Sequence, residues 1–486
     1  MNLQRRDFLK TTGLLSAAAL CNGLRADEAA PTAPRDLVRV AVVGVRGRGC
    51  DLIKPWAAMK DVQIAAICDV DTNVTAKALK ICTDAGQEKP RFEQDFRRLL
   101  DDKSIDAVAI STSNHWHALA TVLALQAGKH VYVEKPVSQT LFEGRRMVEA
   151  ARKYNRVCFI GTQRRSSEAM AKAVEFLRAG KLGKVNVGRG VVYKRRESIG
   201  KKVDAPVPAG VDYNLWQGPA PERAFNPNRF HYEWHWNWDY GSGEMGNNGI
   251  HMLDVVRWGM NKNELPKKVI SIGGRYGYDD DGQTPNTQIA CFDYGDSQMI
   301  CETRGLPTDP YPPFVPPPAD AATRKNHPNS LVVFHCSEGI LTLLDKPIAY
   351  NLKGEIIETF TGTENHYRKF IDSVRAGKIV DPNCDIQEGH LSTGLCHLAN
   401  ISYRLGKEQA FDGAEMPFSG NDVGNETFKR MSEHLKTNNL DMKSLKYSLG
   451  RTLTIDPKTE TFVSDAEASA MLTREYRKPF VVPEKV

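Results

Sequence analysis

Three things are missing from this sequence, and each narrows what it can be. Beyond the first two dozen residues, no apolar run approaches the about 20 residues that a membrane-spanning helix needs. No segment repeats at a fixed period, which sets repeat architectures aside. The ten cysteines are scattered without metal-ligand spacing, so no metal site is read from them. Charge of one sign is scarce as well. The formal net charge is +6, and about half of it sits at the N-terminus on Arg5, Arg6, Lys10 and Arg25, offset by Asp7. That balance gives no reason to expect a nucleic-acid partner. What is present is ordinary for a globular protein: 41% hydrophobic and 26% charged residues. At 486 residues the chain is long for a single core and suggests two domains with a tail. Cys68, Cys158, Cys291 and Cys301 lie in strand-like apolar runs and read as buried free thiols.

The chain starts MNLQRRDFLKTTGLLSAAALCNGL. Arg5 and Arg6 stand before Asp7, Phe8, Leu9 and Lys10, and a modest apolar stretch follows over roughly residues 11–24. This resembles a twin-arginine export signal, although Gln4 occupies a place where Ser or Thr is commoner. The stretch is short for a permanent membrane helix, and Leu20 is bulky for lipid attachment at Cys21. Residues 1–26 therefore read as a removable signal, cleaved after Ala26, with no stable membrane anchor. The twin-arginine machinery would be a partner and the periplasm, or another exported location, the destination. A basic amphipathic N-terminus on a cytoplasmic protein is the other reading the residues leave open.

The most informative stretch is VRVAVVGVRGRG, residues 38–49, followed about twenty residues later by VQIAAICDVD. An apolar run stops at Gly44, turns through Gly47 and Gly49, and opens into helical spacing; a second apolar run then ends at Asp69. That is the order a dinucleotide-binding βαβ unit requires. Glycines let the backbone approach a pyrophosphate, and a helix start offers free N–H groups to it. Asp69 would accept from the adenosine ribose and so favours NAD over NADP. Arg46 stands where the second glycine of GxGxxG belongs, and Arg46 and Arg48 keep NADP open.

Residues 37–163 alternate strand and helix patterns. Strands are expected at 38–44, 62–69, 106–112, 130–135 and 157–162, with helices at 49–60, 71–84, 115–128 and 140–154. This predicts a doubly wound parallel sheet of Rossmann type. After a helix at about 166–180 the pattern changes. Segments 184–196, 267–278, 287–295, 297–305, 331–344 and 349–360 predict an open, mainly antiparallel sheet within a second α/β domain, residues 164–410. A Pro-rich loop spans Leu306 to Asn329, and helices follow at about 365–377 and 388–405. Residues 411–486 are polar and read as an arm wrapped over the body.

The strand HVYV runs into Glu134-Lys135-Pro136, at the strand end where doubly wound sheets hold ligands. A lysine there can donate to a substrate oxygen, and a cis Pro136 would turn it inward; a surface Glu–Lys pair is the bland alternative. The run from ISTSNHWHALATVLALQAGKHVYVEKPVSQT to GTQRR resembles the Gfo/Idh/MocA family, over about residues 37–410. The resemblance implies that Lys135 lies beside the nicotinamide and hydrogen-bonds the reacting oxygen. It also implies a Rossmann domain followed by an α/β domain whose open sheet serves substrate binding and contact between copies in a homo-oligomer. Asn114 and His117 would lie near the nicotinamide ribose, and Gln163 and Arg164 would line the same crevice. With Gly44, Arg46, Gly47, Gly49, Asp69 and Glu134, the first pair completes the expected cofactor-facing set.

A second segment, GSGEMGNNGIHMLDVVRWG, places Asn247, His251 and Asp254 on one face if helical. The family pattern resembles D-x-G-x-H-x-x-D, with the histidine as general base and the first carboxylate orienting it. Here Asn247 replaces that carboxylate, so it can hold a ring nitrogen but cannot stabilise an imidazolium. Asp254 is expected to bind substrate. Between the two segments, HYEWHWNWDY would present five rings on one face if extended, with Trp236 and Trp238 in a carbohydrate platform.

Together these readings predict an exported NAD(P)-dependent oxidoreductase acting on a sugar, glycoside or polyol. His251 moves the hydroxyl proton, Lys135 polarises the oxygen, and the nucleotide stays bound because no free pool exists outside the cytoplasm. Two rivals remain: a redox-neutral, NAD-dependent glycoside hydrolase or lyase, and a nucleotide- and sugar-binding protein without turnover.

Overall fold

A computed structural model describes residues 37–486 apart from 310, 317–328, 344–345 and 412–415. The export-signal reading falls on residues 1–26, outside the described part. Six short strands form a parallel sheet: β1 (Val38–Val43), β2 (Val62–Cys68), β3 (Arg91–Glu93), β4 (Ala107–Ile110), β5 (His130–Val133) and β6 (Cys158–Ile160). Their order is β3-β2-β1-β4-β5-β6 and all neighbours run parallel. Val40, Ala41 and Val42 of β1 and all four residues of β4 are buried, the near-continuous apolar run of a sheet covered on both faces. The covering helices include α1 (Arg48–Ala57), α2 (Thr75–Asp84), α3 (Asn114–Gln126) and α4 (Leu141–Lys153). The strand order reverses between β1 and β4, so a crevice opens beyond their carboxyl ends.

After α5 (Glu168–Arg178) the chain builds a second sheet. Its strands are β7 (Val185–Val192), β8 (Lys268–Gly274), β9 (Thr287–Asp293), β10 (Gln298–Arg304), β11 (Ser330–Cys336), β12 (Gly339–Leu343), β13 (Ile348–Asn351) and β14 (Ile356–Thr359). All of its pairings are antiparallel except β7 with β10. One face packs on α5, on α6 (Ile250–Gly259) and on the long α8 (Ile386–Arg404), which follows α7 (His366–Ala376). Helix α6 lies very close to β7. A Cβ on Gly190 would stand 2.8 Å from Met252 Cβ, so only glycine lets that helix settle there. Helix α8 is buried along most of its length and packs on α4 of the first sheet as well as on α6 and β8 of the second. Each Leu or Ile buried in that seam contributes about 1.5–3 kcal/mol.

The second sheet is open, running in one path from β14 at one edge, and its other face carries α9 (Asp422–Thr437). One expectation changes here. Phe411, Phe418, Phe428, Met431 and Leu435 pack on Val187, Ile272, Ile289 and Ile300. Buried ion pairs from Arg430 to Glu302 at 3.0 Å fasten the helix to the sheet. The sequence after residue 410 is therefore more than an arm. It adds β16 (Lys446–Leu449) and β17 (Leu453–Asp456), both of which pair with β8, and β16 also pairs with β15 (Lys407–Ala410). The reason is pairing: these strands are short and polar, and backbone hydrogen bonds to an existing edge hold them where sequence pattern cannot. Among the described residues, nine cysteines are buried and unbridged. No described helix is long and apolar enough to cross a membrane.

Candidate active site

The crevice between β1 and β4 deepens into a cavity of about 510 Å³. On one side the backbone builds it. Gly44 has φ +84°, and a Cβ there would lie 2.7 Å from Ser111 O; one on Gly49 would lie 2.1 Å from Gly44 O. Both positions therefore require glycine. A Cβ on Gly47 would meet nothing within 4 Å, so the turn leaves open space in front of α1. Neither Gly47, the N-cap of α1, nor Ser113, the N-cap of α3, makes a side-chain cap, and both line the cavity. Two helix starts thus present unclaimed N–H groups to one space, as a diphosphate needs. Asp69 receives Val45 N at 2.8 Å on one oxygen and Asp71 N at 3.0 Å on the other, which leaves lone pairs for ribose hydroxyls. Burial pushes its carboxyl up to about 6. These features fit a dinucleotide.

The structure assigns several expected cofactor residues more narrowly. Arg46 is exposed at the cavity rim and contributes its charge beside His231. Arg48 donates from Nε to Glu134 Oε1 at 2.7 Å, so it braces the Lys135 loop and is not set aside for a 2′-phosphate. Glu134 also receives Tyr132 OH at 3.3 Å and Gln163 Nε2 at 3.4 Å. Asn114 is buried, with Nδ2 on Ser242 Oγ at 3.2 Å. His117 lines the cavity, but its ring nitrogens lie 2.7 Å from Pro136 O and 3.0 Å from Thr112 O. It ties the two strand-end loops together, because both of its polar atoms are committed to backbone carbonyls.

The other side is built from side chains. The Lys135–Pro136 peptide is cis, and Lys135 reaches across to donate to Asn247 O at 2.7 Å, with Asn247 Oδ1 at 3.5 Å. Burial lowers its pKa, while Glu134 and Glu244 favour its charge. His251, in the first turn of α6, lines the same space. Burial, with Lys135, Arg164 and Arg48 nearby, pulls its pKa well below the ordinary histidine value, so the ring is neutral. Its Nδ1 is buried and without a hydrogen-bond partner.

Four expectations on this side need correction. Asn247 contacts Lys135, and no hydrogen bond joins it to His251. Asp254 is not in the cavity. It receives Arg165 Nε at 2.8 Å on both oxygens and Ser392 Oγ at 2.6 Å, which bonds α6 to α8. The π-turn at Met245–Gly249 changes the phase of Asn247 relative to His251, whereas Asp254 stands with His251 on the regular helix that follows and is claimed by Arg165 and Ser392. Arg164 is not among the cavity-lining residues either, and its charge is one of those that lower the His251 pKa. The aromatic run is not extended. Glu233–Trp236 is a 3₁₀ turn, closed by His235 Nδ1 on Tyr232 O at 2.6 Å and Trp236 Nε1 on Glu233 Oε2 at 2.9 Å. That turn buries Trp236 under Arg196 and leaves Trp238 under Arg404, both outside the cavity. Tyr232, Trp234 and His235 line it instead, with the Trp234 and His235 rings stacked at 3.6 Å.

Sequence reasoning missed the contacts that tie residues 209–231 to the turn after β2, among which His231 lines the cavity. Gly210 O accepts from Thr72 N at 3.0 Å, Ala209 O accepts from Asn73 Nδ2 at 2.9 Å, and His231 Nε2 meets Asp71 Oδ2 at 3.1 Å. Arg477 from the tail pins the next turn through Gly218 O at 3.0 Å and Asn214 Oδ1 at 2.6 Å. The only forewarning in the sequence is its punctuation by Pro, Gly and Asn, which predicts turns but not their partners.

Two family models match the chain in succession. The first, an oxidoreductase family with NAD-binding Rossmann fold, matches residues 38–162. The second, the C-terminal alpha/beta domain of the same family, matches residues 177–309. Together they cover just over half of the sequence. A glycosyl hydrolase family 109 protein of Shewanella pealeana is 35% identical over 179 residues, which are 33% of this chain and 39% of that protein. One from Saccharopolyspora erythraea is 31% identical over 159 residues, 32% of this chain and 35% of that protein. The similarity thus spans about two fifths of the length of these relatives. Among solved structures, levoglucosan dehydrogenase in complex with NADH and levoglucosan aligns with a TM-score of 0.54 at 18% identity, covering 74% of this chain and 96% of that one. The WlbA dehydrogenase from Bordetella pertussis, in complex with NADH and UDP-GlcNAcA, aligns at 0.52 and 17% identity, covering 75% and 95%. At these identities the alignments speak for the fold.

Proposed function

The chain belongs to the Gfo/Idh/MocA oxidoreductase family with an NAD-binding Rossmann domain, and from that premise we propose that it oxidises and reduces a carbohydrate without releasing its nucleotide. The observation that carries this reading is the convergence of Lys135, Asn247 and His251 on the cavity into which the Gly44–Gly49 turn opens. NAD, when bound, supplies a two-electron acceptor and donor for a substrate carbon. The turn and the starts of α1 and α3 would hold its diphosphate, and Asp69 its adenosine ribose. Neutral His251 takes the proton of the reacting hydroxyl, because its depressed pKa leaves the ring free to accept at neutral pH. Lys135 donates to the same oxygen and steadies the charge it gains. Tyr232 and Trp234 offer ring surface to a sugar's C–H face. His231, which lines the cavity and pairs with Asp71 just after β2, supports retention between turnovers.

A second reading has its own support. The curated relatives are named as glycosyl hydrolases, and a retained nucleotide suits a redox-neutral cycle. In that cycle a sugar carbon is oxidised, the neighbouring C–H is acidified, the glycosidic group leaves, water adds and the carbonyl is reduced again. The export signal read from residues 1–26 fits either version, because neither needs a free nucleotide pool.

Purified protein incubated with a panel of glycosides and free sugars separates the two. Aglycone release with no net NADH favours the redox-neutral cycle, and NADH formation or sugar-to-sugar redox exchange favours the simple oxidoreductase. Silence on the whole panel, with Lys135→Ala binding sugars as tightly as the native protein, would leave only a binding protein.

A further inference from the structure

We propose that His235 binds the substrate directly, its Nε2 accepting a hydrogen bond from a sugar hydroxyl other than the one that Lys135 and His251 handle. The inference rests on the functional reading above and adds to it a polar contact that selects for a second hydroxyl.

The turn at Glu233–Trp236 fixes the tautomer of this ring. His235 Nδ1 lies 2.6 Å from Tyr232 O. A carbonyl only accepts, so Nδ1 carries the hydrogen and donates it, and in a neutral ring Nε2 is then a bare acceptor. The ring is neutral: burial, with Lys135 and Arg196 nearby, pulls its pKa down to about 3.

That acceptor faces the cavity. His235 lines it and keeps part of its surface accessible. Its backbone is covered, since a Cβ on Gly241 would stand 2.7 Å from the Cα and from the carbonyl oxygen of His235. The ring therefore supplies the lining surface. Trp234 stacks on that ring with centroids 3.6 Å and planes 18° apart, and Tyr232 leans on it at 4.5 Å. What remains is the edge that carries Nε2. Among the described residues Nε2 has no hydrogen-bond partner, and unlike His251 Nδ1 it is not sealed from solvent.

Tyr232 and Trp234 are the rings set against a sugar's C–H face. Hydroxyls of a pyranose stand out from the edges of that face, so an acceptor beside the rings meets an O–H donor. The carboxylates of this wall are already committed. Glu233 receives Trp236 Nε1 at 2.9 Å, Glu244 receives Arg196 Nε at 3.0 Å, and Glu134 receives Arg48 Nε at 2.7 Å. His235 Nε2 is the acceptor left open beside the aromatic rings.

The test is calorimetric binding of D-glucose, D-galactose, their methyl glycosides and myo-inositol to the nucleotide-loaded native protein, H235N and H235Q. Asn can still donate to Tyr232 O from the position of Nδ1 but has no atom at the position of Nε2, whereas Gln sets an amide oxygen near Nε2. For the probe that the native protein binds most tightly, H235N is expected to bind at least about tenfold more weakly, the loss of one hydrogen bond. H235Q is expected to stay within about threefold of native, and nucleotide content should be unchanged in both. A residue that only closes the turn predicts the reverse order. That result, or native affinity in H235N, overturns the proposal. Acylation by diethyl pyrocarbonate, mapped by mass spectrometry, decides the matter if both variants fail to fold. In the native protein His235 is expected to be acylated, and the bound probe to slow that reaction at least about tenfold. A His235 that is not acylated, or that the bound probe leaves equally reactive, overturns the proposal as well. If no probe binds the native protein, the functional reading falls and this proposal with it; binding that survives unchanged in H235N sinks this proposal alone.

Discussion

The two walls of the cavity are made differently. The nucleotide wall is backbone: a glycine turn, two uncapped helix starts and one aspartate whose oxygens already hold two N–H groups. The substrate wall is side chains drawn from far apart in the sequence, Lys135 after β5, Tyr232 and Trp234 on a 3₁₀ turn, Asn247 on a π-turn and His251 on α6. A backbone site is written locally, because φ angles, close approach and helix starts depend on neighbours in sequence. A side-chain site depends on winding and on distant partners. Damage to the first should therefore release the nucleotide, and damage to the second should stop chemistry while the nucleotide stays.

The largest expected effect falls on the substrate wall. His251→Ala and Lys135→Ala should each lower turnover by about 10²–10⁴-fold, with nucleotide content measured after denaturation unchanged. Loss of nucleotide in either variant would break the comparison. On the other wall, Gly44→Ala forces a Cβ to 2.7 Å from Ser111 O in a left-handed conformation. Strain of about 1–3 kcal/mol is expected, read as a lower melting temperature together with nucleotide-free protein. Retention of nucleotide there would show that the turn does not hold it.

Acid should separate the walls without mutation. Burial places Asp69 at about 6, so its carboxylate is lost as pH falls through that value, and nucleotide retention should weaken there. His251 is held well below the ordinary histidine range, by burial first and Lys135 next, so it remains a neutral base at mildly acid pH. Nucleotide dissociation should therefore begin before the acid limb of single-turnover rates measured on protein that has kept its nucleotide. Coincident limbs would contradict this assignment. A smaller effect is expected from Glu134→Gln, which weakens the brace on Arg48 at 2.7 Å. Nucleotide off-rates should rise by up to about tenfold, the loss of a charge-assisted hydrogen bond. The smallest belongs to Trp236→Phe, where the indole N–H on Glu233 is lost outside the cavity. KM for sugars should change by less than about twofold, and a larger change would restore Trp236 to the platform.

The same contrast explains what the sequence disclosed. The βα alternation of residues 38–162 is legible because buried parallel strands are continuous apolar runs between helical periods, and Gly44, Gly47, Gly49 and Asp69 sit where that pattern places them. Lys135 and His251 are legible through the family motif, and both face the cavity. Asp254 is misread because its partners, Arg165 and Ser392, come from distant parts of the chain that helical spacing does not disclose. The aromatic run has perfect strand spacing, yet hydrogen bonds from His235 and Trp236 within the run close a turn. The tail is misread because β16 and β17 hold their places by pairing with β8, a long-range bond that composition does not carry.

The most direct test of the central claim is mass spectrometry of small molecules released when the purified protein is denatured. A site that holds its nucleotide between turnovers should release about one NAD per chain, without a 2′-phosphate. Protein that is folded, catalytically competent only when NAD is added, and empty on denaturation would contradict the account.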